Sequence, residues 1–189
     1  MLKLCANHIV SFLLSLSDIP IDSETKEVYV YGLECIFHNI VIVFILSIIG
    51  LLTNSFVSIV VWLSSFVLLR HNAGGYHAPT HFSCITSSIL LGIGNIYITK
   101  AFSFSRTYAF ISFLFALVFC LLLAPTQVSK HSLSSKDQNV YKLKSIFIIL
   151  TGYSVSHFVS PELAASILYA FLSCSILLII AKIKLLVRK

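Results

Sequence analysis

From Cys35 to Leu69 the chain carries no Asp, Glu, Lys or Arg. Backbone polar groups in hydrocarbon must pair within their own segment, so such a run reads as helix, and roughly 20 residues cross a bilayer core. The run is too long for one crossing, and Gly50, Thr53 and Asn54 mark a turn inside it. The pattern predicts segments near 35–52 and 53–69, then further uncharged segments at 82–99, 107–124, 145–160 and 163–181. The last two are joined by Ser160-Pro161-Glu162 and also fit a hairpin that does not cross fully. Ahead of them, Leu2, Ile9, Phe12, Leu13 and Leu16 recur at helical spacing, predicting an amphipathic helix over 2–17 that lies in the membrane interface. The start has neither a basic cluster nor a small-residue cleavage site, so no cleavable signal peptide is expected.

The expected fold is an all-α integral membrane protein with about six apolar helical segments and an N-terminal interfacial helix. It forms one membrane domain over 1–189. Its expected parts are an interfacial region (1–30), a first helix pair (31–69), a polar loop and helix start (70–84), a second pair (82–124), a basic loop (125–144) and a C-terminal pair (145–189). Composition agrees: 58% of the 189 residues are hydrophobic and 11% charged, against about 25% charged in a soluble domain.

Lysine and arginine positions give an orientation. Alternating crossings from a cytoplasmic N-terminus put Lys3, Lys26, Arg70, Lys130, Lys136, Lys142, Lys144, Lys182, Lys184, Arg188 and Lys189 inside, and only Lys100 and Arg106 outside. Both termini and the 70–81 loop are therefore expected in the cytoplasm. The net charge of +6 is explained by topology and anionic lipid, so the partner is a bilayer and not nucleic acid. Five cysteines without a CxxC pair argue against a disulfide framework.

Chemistry concentrates in Arg70-His-Asn-Ala-Gly-Gly-Tyr-His-Ala-Pro-Thr-His-Phe-Ser-Cys84. Pro79 suits a helix start, which puts Cys84 in the first or second turn, where the dipole favours a thiolate. His77 precedes Cys84 by seven residues; on one unbroken helix they would stand roughly 10 Å apart, beyond proton-transfer reach. The chain must fold back first, and Gly74, Gly75 and Pro79 permit that. His81, at i,i+3, competes as the base, and His71 sits further out on the rim. A zinc site of His77, His81 and Cys84 is a second reading, weakened because the nearest acids are Glu34 and Asp137. A polar loop with Cys84 as a packing residue is a third. The residues alone leave these open.

The same stretch resembles the signature of the accessory gene regulator protein B (AgrB) family. Arg70, Gly74, Gly75, His77, Ala78 and Cys84 match it, and the likeness extends to Tyr31-Gly-Leu-Glu34, Asn39 and Leu123-Ala-Pro-Thr-Gln-Val-Ser-Lys130. The resemblance implies a multi-pass cysteine endopeptidase of the bacterial cell membrane, working in quorum sensing. Its implied partner is an AgrD-like propeptide, cleaved through an acyl-enzyme thioester and cyclised to a (thio)lactone. It also implies a homodimer, His77 as general base and Cys84 as nucleophile. No cofactor or metal is expected. Glu34 and Asn39 are candidates for orienting His77 or meeting substrate. Arg70 is read chiefly as a helix anchor at phosphate level, Gly75 as a turn former, and Lys130 as a contact for an acidic substrate tail. A peptide transporter without covalent chemistry is the alternative from another class, although paired intramembrane charges and repeated broken helices are missing.

Overall fold

The computed structural model describes residues 2–16, 22–76, 80–101, 105–126 and 134–187, apart from the side chains of residues 2, 81 and 135. Among the described residues seven helices follow in order: α1 (Leu2–Ser15), α2 (Ser23–Leu52), α3 (Phe56–Ala73), α4 (His81–Ala101), α5 (Arg106–Leu123), α6 (Ser135–Ser156) and α7 (Pro161–Val187). The protein is all-α. Among the described residues five helices, α2, α3, α4, α5 and α7, are long and apolar enough to cross a membrane. The sixth expected segment is helical, but α6 begins ten residues before 145 and carries Lys136, Asp137, Lys142 and Lys144 in its first half. Its apolar part is thus short.

Boundaries shift for physical reasons. At 30 residues, α2 is about 45 Å long, more than a hydrocarbon core needs. Its first turns, with Glu24, Lys26 and Glu27, are too polar to register in a hydropathy pattern yet propagate the same helix. At its far end Asn54 adopts a positive φ of 53°, and Ser55 N–H returns to the Gly50 carbonyl at 2.8 Å. This is the turn expected between the first two segments. At the end of α3, Arg70 to Ala73 continue the helix instead of opening the loop, because nothing stops it before Gly74.

The chain divides into two compact units, residues 1–45 and 46–189. In the first, Ala6 and Val10 of α1 pack on Val30 of α2, flanked by Leu14, Leu33 and Phe37. Ile9, Phe12, Leu13 and Leu16 stay exposed. The apolar stripe noted in the sequence therefore faces outward, as an interfacial helix requires, while a second apolar face holds α1 to α2.

In the second unit α7 is the central helix, packed against α3, α4, α5 and α6. Its buried positions are largely small: Ala164, Ala165, Ser166, Ala170, Ser173, Cys174, Ser175 and Ala181. Association within lipid gains little from hydrophobicity, so close packing over small residues supplies the contact. The serines spend their hydroxyls on their own helix, as with Ser173 on the Tyr169 carbonyl at 2.7 Å and Ser175 on Phe171 at 2.9 Å. Gly152 of α6 lies directly against the Phe171 ring. Ser58 of α3 donates to Glu162 of α7 at 2.6 Å, and Lys100 at the end of α4 reaches the Thr53 carbonyl. These contacts gather the starts of α3 and α7 with the end of α4. The ends of α3, α5 and α7 and the start of α4 meet at the opposite pole.

Candidate functional site

The pole where α4 starts is built on a short backbone return. Helix α3 ends at Gly74, with φ 76°, and Gly75 follows with φ 133°. Both values are readily open only to glycine. Gly74 forms a parallel bridge with Thr126, just past the end of α5, and Thr126 N–H donates to the Ala73 carbonyl at 3.0 Å. A Cβ on Gly74 would come within 2.5 Å of the Thr126 oxygen. One on Gly75 would come within 2.7 Å of Arg70 Nη1. At this glycine pair, where the sequence reading expects the chain to fold back, one close approach is to the Thr126 backbone and the other to the Arg70 side chain.

Arg70 closes the turn from inside. It sits one turn before the end of α3, with its Nη2 donating to the Tyr76 carbonyl and its guanidinium 5.8 Å from the Phe66 ring centre. Expected chiefly as an anchor at phosphate level, it is instead folded onto its own loop. Its Nη1 is buried and has no hydrogen-bond acceptor among the described residues.

Cys84 lies in the first turn of α4. Thr80 caps that helix: its Oγ1 accepts from Ser83 N–H at 3.2 Å, and its carbonyl accepts from Cys84 N–H at 3.1 Å. Cys84 is half-buried and free of any disulfide. A thiol here combines partial access with the positive end of a helix, a setting in which cysteines can act as nucleophiles.

His77, Ala78, Pro79 and Lys130 lie outside the described residues, as does the side chain of His81, so the general base and the zinc alternative rest on the sequence. Glu34 is buried and Asn39 exposed on α2 in the first unit. Glu34 shares its helix face with the buried His38.

Sequence reasoning passed over Tyr76, Thr126, Cys174, Leu177 and Lys184. Tyr76 N–H donates to the Leu177 carbonyl at 3.0 Å, and Lys184 Nζ reaches the Tyr76 hydroxyl at 3.1 Å while lying 4.6 Å from its ring centre. Tyr76 stood unremarked inside the Arg70–Cys84 stretch and Thr126 inside the 123–130 segment; Cys174, Leu177 and Lys184 are distant in sequence, and of these Lys184, a cation in the last turn of α7, carried some signal. A cleft of about 410 Å³ between Asn54, Ser58 and Glu162 belongs to the opposite pole, away from Cys84.

Comparison with known proteins adds a family. The family model described as Accessory gene regulator B matches residues 6–185. Protein FsrB of Enterococcus faecalis is 30% identical over 134 residues, covering 69% of this chain and 54% of its own length. A putative AgrB-like protein of Clostridium perfringens is 23% identical over 144 residues, covering 72% of this chain and 67% of its own. The chain thus spans about half to two-thirds of the length of these curated relatives. No solved structure matches.

Proposed function

This chain belongs to the accessory gene regulator B family, which carries a quorum-sensing accessory role, and from that premise we propose that it is a membrane cysteine endopeptidase acting on an AgrD-like propeptide. Cys84 is the nucleophile and His77 the general base. One observation carries the reading: past the Gly74-Gly75 turn that ends α3, a Thr80-capped α4 holds the half-buried Cys84 in its first turn.

The steps follow from that arrangement. His77 takes the Cys84 thiol proton, and the thiolate attacks the scissile carbonyl carbon. Charge develops on the carbonyl oxygen, and Arg70, whose Nη1 has no acceptor among the described residues, is the donor suited to meet it. The C–N bond breaks as His77 returns its proton to the departing amine. This leaves an acyl-enzyme thioester and a free C-terminal fragment.

A Cys or Ser of the bound N-terminal portion then attacks the thioester carbonyl. Its proton passes to His77 and on to the released Cys84 thiolate, closing a thiolactone or lactone. Exchange between thioesters is nearly balanced, whereas forming a thioester from an amide is uphill. Cyclisation therefore needs water kept from the intermediate and loss of the C-terminal fragment. A half-buried cysteine at a lipid-flanked helix end serves the first. Lys130, with Lys136, Lys142 and Lys144 on α6, serves the second by drawing an acidic fragment away from the thioester. The reading also has the termini and the catalytic loop facing the cytoplasm of a bacterial cell, on the lysine asymmetry, and a homodimer as the working form.

Removing either reacting group tests it. With the protein inserted in vesicles, Cys84→Ser and His77→Ala are each expected to abolish propeptide cleavage; cleavage surviving in either refutes the assignment.

A further inference from the structure

We infer that Lys184 is a positioning residue for this reaction, acting through Tyr76; the inference rests on the peptidase reading above. Tyr76 directly precedes His77 in sequence, and every polar handle it has is engaged. Its N–H is held by the Leu177 carbonyl at 3.0 Å, its C=O by Arg70, and its hydroxyl by Lys184 at 3.1 Å. The same ammonium stands 4.6 Å from the ring centre, within cation–π range. Two of these grips come from the last turns of α7, the helix around which the second unit is packed.

Its placement separates Lys184 from a lysine kept only for membrane orientation. Lys182, two positions earlier, is exposed, whereas Lys184 is half-buried and turned onto Tyr76. The Leu177 carbonyl also lies inside α7, so it accepts from Tyr76 with a lone pair left over from the helix ladder. The site needs such an anchor because of its own turn. Gly74 and Gly75 provide the reversal but leave the chain many conformations to lose. An imidazole must come within hydrogen-bond reach of Cys84 to take its proton. Fixing the residue just before His77 to the central helix removes that freedom in advance, which is how proximity accelerates a reaction.

The test uses the full-length chain in phospholipid vesicles, as wild type, Lys184→Met, Lys184→Arg, Tyr76→Leu and the double variant Tyr76→Leu/Lys184→Met. Backbone hydrogen exchange at position 76 reads the clamp without any chemistry, and cleavage of a synthetic AgrD-like propeptide reads the catalytic consequence. Lys184→Met is expected to accelerate exchange and to lower kcat about 10- to 100-fold while KM stays within about twofold. The double variant should lose little more than Tyr76→Leu alone, as expected of two groups in one contact. Lys184→Arg, which keeps the charge and a donor, should recover most of kcat. Unchanged exchange at Tyr76 in Lys184→Met overturns the inference, as does a loss confined to KM or fully additive losses. Cleavage persisting in Cys84→Ser would defeat the peptidase reading instead, with the exchange result still deciding whether Lys184 holds Tyr76.

Discussion

The Thr126 carbonyl leaves Gly74 no room for a side chain: the first carbon of any substituent would sit 2.5 Å from that oxygen. The obstruction is backbone, in the bridge that ties the end of α3 to the end of α5, so no rotamer relieves it.

Gly74→Ala should therefore cost roughly 1–3 kcal/mol from the φ of 76° alone, with the forced separation of Thr126 in addition. Gly32 supplies the control, since nothing lies within 4 Å of its absent side chain. Exposed within α2, Gly32→Ala should be neutral or stabilising by about 0.5–1 kcal/mol. Thermal unfolding in detergent, paired with propeptide cleavage, checks both: Gly74→Ala lowers Tm and activity, and Gly32→Ala lowers neither.

At the opposite pole, the 2.6 Å bond from Ser58 to Glu162 joins α3 to α7. Ser58 is buried and Glu162 exposed, so solvent tempers the bond. Ser58→Ala is expected to destabilise the bundle by about 1 kcal/mol. It should leave kcat unchanged, because the contact belongs to the pole away from Cys84. A tenfold fall in kcat would mean the two poles are coupled.

Five free thiols allow a ranking. Cys120 and Cys174 are buried, Cys35 and Cys84 half-buried, and Cys5 exposed. Access alone would make Cys5 react first. Iodoacetamide should modify Cys84 first near neutral pH, ahead of the more accessible Cys5, and that lead should vanish in His77→Ala. Cys120 and Cys174 should label last. Peptide mapping after a short exposure reads the order, and Cys5 ahead of Cys84 would argue against an activated nucleophile.

Close packing of α6 on α7 gives a further prediction. A side chain at Gly152 would strike the far edge of the Phe171 ring and come within 3.4 Å of Ile167. Phe171 is buried and has nowhere to retreat, so Gly152→Val should cost about 1–3 kcal/mol. Gly152→Val combined with Phe171→Leu should recover part of the loss. Full additivity in detergent unfolding would deny the contact.

Much of this arrangement was legible in the sequence because bilayers impose a coarse rule. Uncharged runs became helices, and the glycine pair became a turn. What hydropathy does not distinguish is a residue facing lipid from one facing protein. Nothing in the apolar pattern of α7 marks it as the central helix; that follows from small residues such as Ala164, Ala165, Ser166, Ser173 and Ser175 placed around the helix, which gain contact only once neighbours are in place. The continuation of α3 through Arg70 was hidden for a related reason. A cation ends an apolar run but does not end a helix, and Gly74 does. The holds on Tyr76 from Leu177 and Lys184 were beyond any local pattern, since they join positions about a hundred residues apart. Arg70 was named as a candidate from the motif, yet its orientation onto Tyr76 depends on a loop path that only the folded chain defines.

The central claim is a covalent bond, and intact mass spectrometry measures it directly. Vesicle-inserted protein is mixed with a synthetic AgrD-like propeptide whose cyclising Cys or Ser is replaced by Ala, and quenched in acid. The account predicts an adduct equal to the N-terminal portion of the peptide less one water, mapped to Cys84 and lost on hydroxylamine treatment. The free C-terminal fragment should appear in equal amount. Cleavage proceeding at full rate with no adduct at Cys84, or with the adduct on another residue, would contradict it.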